Sequence, residues 1–140
     1  MNHTFNSISI GDSYQLTKRI STENVEGFAK VSGDTNPIHL NEEIASASIF
    51  KNRIAHGFLV GSIISNILGM HFPGQGTIYL SQTMKFYKPV FLDTMVTGIV
   101  TVVEKDENKR RISLSTIVKN EENEIVIKGE AIVIPPSKNN

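Results

Sequence analysis

Asp34 and His39 are the two side chains whose types and spacing bear most directly on chemistry. Gly33 precedes the acid, and Asn36-Pro37 stands between it and the histidine. On a continuous helix, residues five apart point about 140° away from each other and could not share a target. Pro37 removes that option by pushing Asn36 out of the helical region. In a turn, a carboxylate and an imidazole can converge on one small polar object such as a water, each tuning the other's pKa, which makes a sound general acid/base pair. The spacing leaves a second reading open: an Asx-turn at Asp34, with His39 solvated or satisfied in the core. Further along, His56-Gly57 opens a long apolar stretch. First-turn amides of a helix have no intrahelical partner and can donate to a developing oxyanion, and Gly57 would let a carbonyl group come close. A loop acid/base pair and a helix-start amide are the two parts needed to enolise a thioester or a ketone.

Other chemistries find little support. The chain has no cysteine, which excludes disulfide scaffolds, thiolate nucleophiles, iron–sulfur clusters and cysteine-ligated zinc. A metal site from Asp34, His39 and His56 has no recognisable ligand spacing behind it, so no metal is expected. There is no nucleophile elbow, Walker loop or dinucleotide fingerprint, and Gly74-Gln75-Gly76 is too short to mean more than a turn. His3 falls in what reads as a loose, inert terminus, and His71 at a helix end, where an imidazolium suits the C-terminal dipole.

The elements that must position these residues follow from pattern. Ser21-Thr22-Glu23 followed by Val25, Phe28, Ala29 and Val31 predicts a short amphipathic helix capped at Ser21 or Thr22 and stopped at Ser32-Gly33-Asp34. An irregular segment over 35–41 leads to a short helix around 42–48. The run from Ile54 to Met70 predicts the main helix, apolar nearly all round and therefore buried on most faces. Its interior glycines cost about 1 kcal/mol each relative to alanine, so something should compensate. Gly57, Gly61, Ser65 and Gly69 recur every four residues as a stripe of small side chains that invites close approach of another backbone or a ligand. His71-Phe72-Pro73-Gly74 ends the helix.

The second half reads as strands over 77–90, 94–103, 112–116 and 125–133. In them Ile112, Leu114 and Thr116 alternate with Ser113 and Ser115, while Ile125, Ile127, Ala131 and Val133 share a face. Polar turns at 105–110 and 120–123 make the later strands an antiparallel meander. The sum is an α+β fold in which an antiparallel sheet wraps one buried helix. A single wrapped sheet leaves an open edge, and dimerisation edge to edge would cover it, so a homodimer is expected.

Composition sets the outer bounds. The 140 residues suit one domain spanning 1–140. Fourteen Lys plus Arg balance fourteen Asp plus Glu, which gives no electrostatic case for nucleic acid or an anionic membrane. The longest apolar stretch is too short to span a bilayer, and the first residues lack the basic start and apolar block of a signal peptide. A cytoplasmic protein with frayed termini is expected.

Taken together, Phe28 through His39 (FAKVSGDTNPIH) and Arg53-Ile54-Ala55-His56-Gly57-Phe58, continued by Gly76 to Leu80 and Phe86 to Val90, resemble the MaoC-like (R)-specific enoyl-CoA hydratases. The likeness spans roughly residues 8–135 and is closest to the short single-domain enzymes that feed polyhydroxyalkanoate synthesis. It implies the hot-dog fold, a long central helix wrapped by an antiparallel sheet and assembled as a dimer. It also implies Asp34 and His39 as the catalytic pair, Asn36 of the same motif as a substrate-binding residue, and Gly57 as the oxyanion amide. Ser65 would help orient the loop or water near the pair. Phe58 stands where relatives often carry methionine and would border the acyl pocket. The reaction implied is syn addition of water to a trans-2-enoyl-CoA to give an (R)-3-hydroxyacyl-CoA. No cofactor is needed, since coenzyme A is part of the substrate. Rivals on the same fold are a 3-hydroxyacyl dehydratase acting on carrier-protein or CoA thioesters, a thioesterase, and a non-catalytic acyl-CoA-binding module.

Overall fold

The computed structural model describes residues 3–137; residues 1–2 and 138–140, the outermost part of the termini expected to fray, lie outside the described residues. Chain order is β1 (Ser13–Ile20), α1 (Thr22–Ser32), α2 (Pro37–Leu40), α3 (Glu42–Ser46) and α4 (Gly57–Asn66), extended by a π-helical turn over Ile67–His71. Then come β2 (Ile78–Gln82), β3 (Lys85–Phe86), β4 (Thr94–Asp106), β5 (Arg111–Lys119) and β6 (Ile125–Ile134). All six strands join one antiparallel sheet in the order β1-β4-β5-β6-β2, with β3 also pairing β6. Helix α4 lies against this sheet, the α+β arrangement expected. Among the described residues no helix is long and apolar enough to cross a membrane.

The meander β4-β5-β6 forms because its strands alternate. Val96, Val100 and Val102 of β4, Ile112, Leu114 and Val118 of β5, and Ile127, Ala131 and Val133 of β6 are all buried in one core. Gly98 sits in the same row. A Cβ there would stand 3.0 Å from both Ile63 and Ile67, so the missing side chain lets α4 settle onto the sheet.

Three expectations need correction. The main helix starts at Gly57, because Ile54 bridges to Phe91 and the Ala55 N–H donates to Val90 O at 2.8 Å, holding the chain extended up to His56. An apolar run alone does not separate buried strand from buried helix. The run over 77–90 is two short strands, broken where Thr83 crosses β6 at Gly129. A Cβ on Gly129 would lie 1.7 Å from Thr83 O, and the crossing presses Met84 and Phe86 against Gly61 and Gly57. Those contacts fill the first half of the small-residue stripe; nothing approaches within 4 Å of a Cβ on Gly69. Third, the N-terminal segment is anchored at His3. Phe5 and Ile8 reach the core, Lys105 Nζ donates to their carbonyls at 2.7 and 2.6 Å, and the His3 N–H donates to Pro73 O at 2.9 Å. Strand β1, not among the elements expected from the sequence, carries only a weak alternation, with Tyr14 and Leu16 packed on the core between exposed Gln15 and Thr17.

Candidate active site

The loop that carries Asp34 and His39 is shaped by its own polar residues. Helix α1 begins in a capping box between Ser21 and Asn24 and ends at Gly33, whose left-handed φ of 81° turns the chain away. The Asn36 N–H then donates to Asp34 Oδ1 at 3.2 Å, closing an Asx-turn, and Asn36 Oδ1 accepts from the Ile38 N–H at 3.2 Å to cap α2. Pro37 opens this single helical turn from its first position, where it has no amide to lose. His39 therefore lies in a short helical turn, a correction to the irregular segment expected over 35–41. The two readings of Asp34 turn out to be compatible: its carboxylate makes the Asx-turn while remaining exposed beside a buried His39.

Residues 53–56 hold this loop from below. His39 Nδ1 lies 2.7 Å from Ile54 O. A carbonyl oxygen only accepts, so Nδ1 carries the hydrogen and the neutral ring presents its lone pair at Nε2. His56 Nε2–H donates in the same way to Asp34 O at 2.9 Å. The His39 and His56 rings are stacked with centroids 3.8 Å apart and planes 27° off parallel, and the Phe28 ring packs tilted against His56 with centroids 4.8 Å apart.

One cavity of about 450 Å³ brings the parts together: Asp34, His39, His56 and Gly57 all line it, against an apolar wall that includes Phe28, Val60, Val90 and Ile127. Gly57 is the first residue of α4 and lines the cavity, and His56 makes no side-chain cap, so no capping side chain occupies the first-turn amides. Lys88 lines the same cavity with its ammonium 2.6 Å from Glu124. That ammonium, with the Asn120 amide, holds the Glu124 carboxyl below its ordinary range. The site thus offers a carboxylate, a fixed-tautomer imidazole and a backbone donor around an apolar slot, enough to move protons on a polarised carbonyl compound.

A carboxylate oxygen of Asp34 and a ring nitrogen from each of His39 and His56 lie within 4.8 Å of one another. That spacing would admit an ion, and His56 Nδ1 is buried with no hydrogen-bond partner among the described residues, while the stacked rings send their in-plane lone pairs side by side instead of to one point.

Residues 6–124 match the family described as MaoC like domain. The chain is 41% identical over 136 residues to an (R)-specific enoyl-CoA hydratase of Rhodospirillum rubrum, covering 97% of this chain and 94% of that one. The chain belongs to the MaoC-like family. It is also 40% identical over 134 residues to a 3-hydroxybutyryl-CoA dehydratase of Methylorubrum extorquens, covering 96% of this chain and 85% of the relative. Among solved structures, unliganded R-hydratase PhaJ1 from Pseudomonas aeruginosa superposes with a TM-score of 0.94 at 38% identity, covering 98% of this chain and 88% of that one. The (R)-hydratase of Aeromonas caviae gives 0.91 at 37%, covering 93% and 98%. These likenesses are to hot-dog enzymes, the fold seen here.

Of the residues singled out in this MaoC-like sequence, Asp34, His39, Gly57 and Phe58 line one cavity. Phe58 is 66% exposed and stacks on Phe86 at 6.3 Å. Asn36 and Ser65 do not line it: Asn36 is a cap, and Ser65 is exposed two turns along α4. Phe86 and Arg53 were not singled out for the site. For Phe86 the signal was available in the small-residue stripe, which needed a partner; Arg53 acts through a backbone carbonyl, which no residue pattern displays.

Proposed function

We propose that this chain hydrates trans-2-enoyl-CoA thioesters to (R)-3-hydroxyacyl-CoA. The observation that carries the reading is the meeting of Asp34, His39 and Gly57 in one apolar cavity, and the named activities of the R. rubrum and A. caviae relatives support it. The Gly57 N–H donates to the thioester oxygen, which draws electrons from the β-carbon. His39 Nε2 takes a proton from water as the water oxygen bonds to the β-carbon. The electron pair of the double bond moves towards the thioester and is then quenched by a proton at the α-carbon. Asp34 holds the water and helps return that proton, so the elements of one water end as a hydroxyl and an α-hydrogen. Neither a metal nor a redox cofactor enters these steps; coenzyme A is the substrate's handle.

The same reading includes a homodimer and keeps the cytoplasmic setting expected above. Strand β2 ends the sheet, bonded on one side only, and it leaves Ile78, Tyr79 and Leu80 exposed together. A second copy joining edge to edge would cover them. Light scattering on the intact protein tests this: a dimer that Leu80→Lys splits supports it, and a monomer at micromolar concentration sinks it.

The activity test follows loss of the conjugated thioester absorbance of crotonyl-CoA, with a thiol reagent in parallel and the product's chirality assigned. Consumption without thiol release, yielding the (R)-3-hydroxy product, supports the hydratase. Thiol release would make it a thioesterase. Inertness towards C4 to C12 enoyl-CoAs, with activity on carrier-protein thioesters, would replace the substrate class.

A further inference from the structure

Arg53 is a buried cation that the chemistry above does not use. Its side chain is only 13% exposed, its nearest carboxylate oxygen is on Glu26 at 3.8 Å, and Glu26 is itself 59% exposed. Among the described residues Arg53 Nη2 is buried with no hydrogen-bond partner. Its one short bond is from Nε–H to the carbonyl oxygen of His39, at 2.7 Å. A guanidinium that gives up water for a single short hydrogen bond and a long ion pair is a poor way to add stability; an apolar side chain of the same length would fill the space at a smaller desolvation cost.

What the guanidinium holds is the catalytic turn. The two residues Arg53 and Ile54 grip α2 at three points. The Ile54 N–H donates to Ile38 O at 3.3 Å, Ile54 O accepts from the His39 ring at 2.7 Å, and Arg53 Nε–H donates to His39 O at 2.7 Å. The His39 N–H donates to Asn36 O at 3.0 Å. Both backbone groups of His39 and one nitrogen of its ring are therefore tied, which leaves Nε2 as the atom with freedom to act. A turn of four residues has no following turn to satisfy its last carbonyls, so an outside donor must do so.

We propose that Arg53 is a positioning residue: through the carbonyl of His39 it fixes the place and direction of the Nε2 lone pair that takes the proton of water. The proposal rests on the reading of His39 as the base in the hydration above. It separates from a packing role because what matters is a hydrogen donor three bonds beyond Cβ, with the charge immaterial.

Arg53→Met puts an apolar methyl in the place of Nε and removes the donor; Arg53→Gln puts an amide N–H the same number of bonds from the backbone as Nε and removes the charge. With purified full-length protein on crotonyl-CoA, the Met variant should lose about 10- to 100-fold in kcat with KM within about 2-fold, the size expected when a catalytic group is misplaced by about an ångström. The Gln variant should recover kcat to within about 3-fold of the parent while melting at the same temperature as the Met variant. Parent-like kcat in the Met variant, or equal loss in both, overturns the proposal. If the Met variant is insoluble the Gln variant decides alone, since a loss of tenfold or more in a folded donor-bearing protein rejects the idea. The imidazole nitrogen resonances, assigned with His39→Ala, give a readout independent of activity. Arg53→Met should shift His39 and spare His3 and His71, and an unmoved His39 overturns the positioning role even where the parent proves inactive on enoyl-CoAs.

Discussion

Where α4 crosses the sheet, Ile63 and Ile67 close on Gly98, and the surrounding side chains are aliphatic and buried. Where the Asp34 loop meets residues 53–56, most of the loop is exposed and its shape is held by directed bonds: Asn36 N–H to Asp34, His39 ring to Ile54 O, His56 ring to Asp34 O, Arg53 to His39 O. The first region is held by non-directional burial, which tolerates small shifts, and the second by geometry, which does not. On the proposed function, stability and chemistry fall to different residues, and substitutions should separate them.

The largest separation is expected at the acid. Asp34→Asn should cut kcat about 10³-fold, roughly 4 kcal/mol of barrier, with a small change in melting temperature because the amide oxygen can still close the turn. Equal activity of variant and parent in the crotonyl-CoA assay would remove Asp34 from the chemistry. Next comes the reverse case. Ile63→Ala should cost about 2–5 kcal/mol in denaturant unfolding while turnover per folded molecule stays within about 2-fold; a matching drop in kcat would show the two regions to be one. Gly57→Ala tests their border. A Cβ there would meet the Phe86 ring at 2.6 Å, and that ring also lines the cavity. About 1–2 kcal/mol of destabilisation with a raised KM is expected, since the ring must move into the substrate space. Unchanged KM would mean that Phe86 does not bound the acyl group.

The smallest effect belongs to Asp93. Hydrogen bonds from the Thr22 amide and hydroxyl, aided by Arg19, hold its carboxyl below the ordinary range. A lowered folded-state pKa favours folding where the carboxylate is ionised, above the unfolded pKa, and that contribution is lost as pH falls through the folded value. Asp93→Asn should thus lower the melting temperature slightly at pH 7, by an amount that fades as the acid titrates. A pH-independent difference would point instead to the turn at Asp93, whose φ is 63°.

The meander was legible because Ile112, Leu114 and Thr116 repeat with the period of a strand. The meeting of Asp34 and His39 at one cavity was legible because a proline between them forbids one continuous helix. The broken run over 77–90 was not, because its cause is Thr83 crossing Gly129, nearly fifty residues away in sequence. The helix start slipped by three residues for a similar reason, since bonds from Ala55 to Val90 and from Ile54 to Phe91 are tertiary. Within the site, Asp34, His39, Gly57 and Phe58 were read and line the cavity while Asn36 and Ser65 do not, and the supporting roles of Arg53 and His56 went unread because both work on carbonyls, although both residues stand in the 53–58 run that carries the resemblance.

The Asx-turn at Asp34 also narrows the routes open to mutation. Glutamate is one nucleotide change away from aspartate and is the usual exchange for it on a surface. Here the added methylene would carry the carboxylate past the Asn36 amide that now donates to it. An acid that shapes its own loop leaves natural drift no neighbouring acid to pass through.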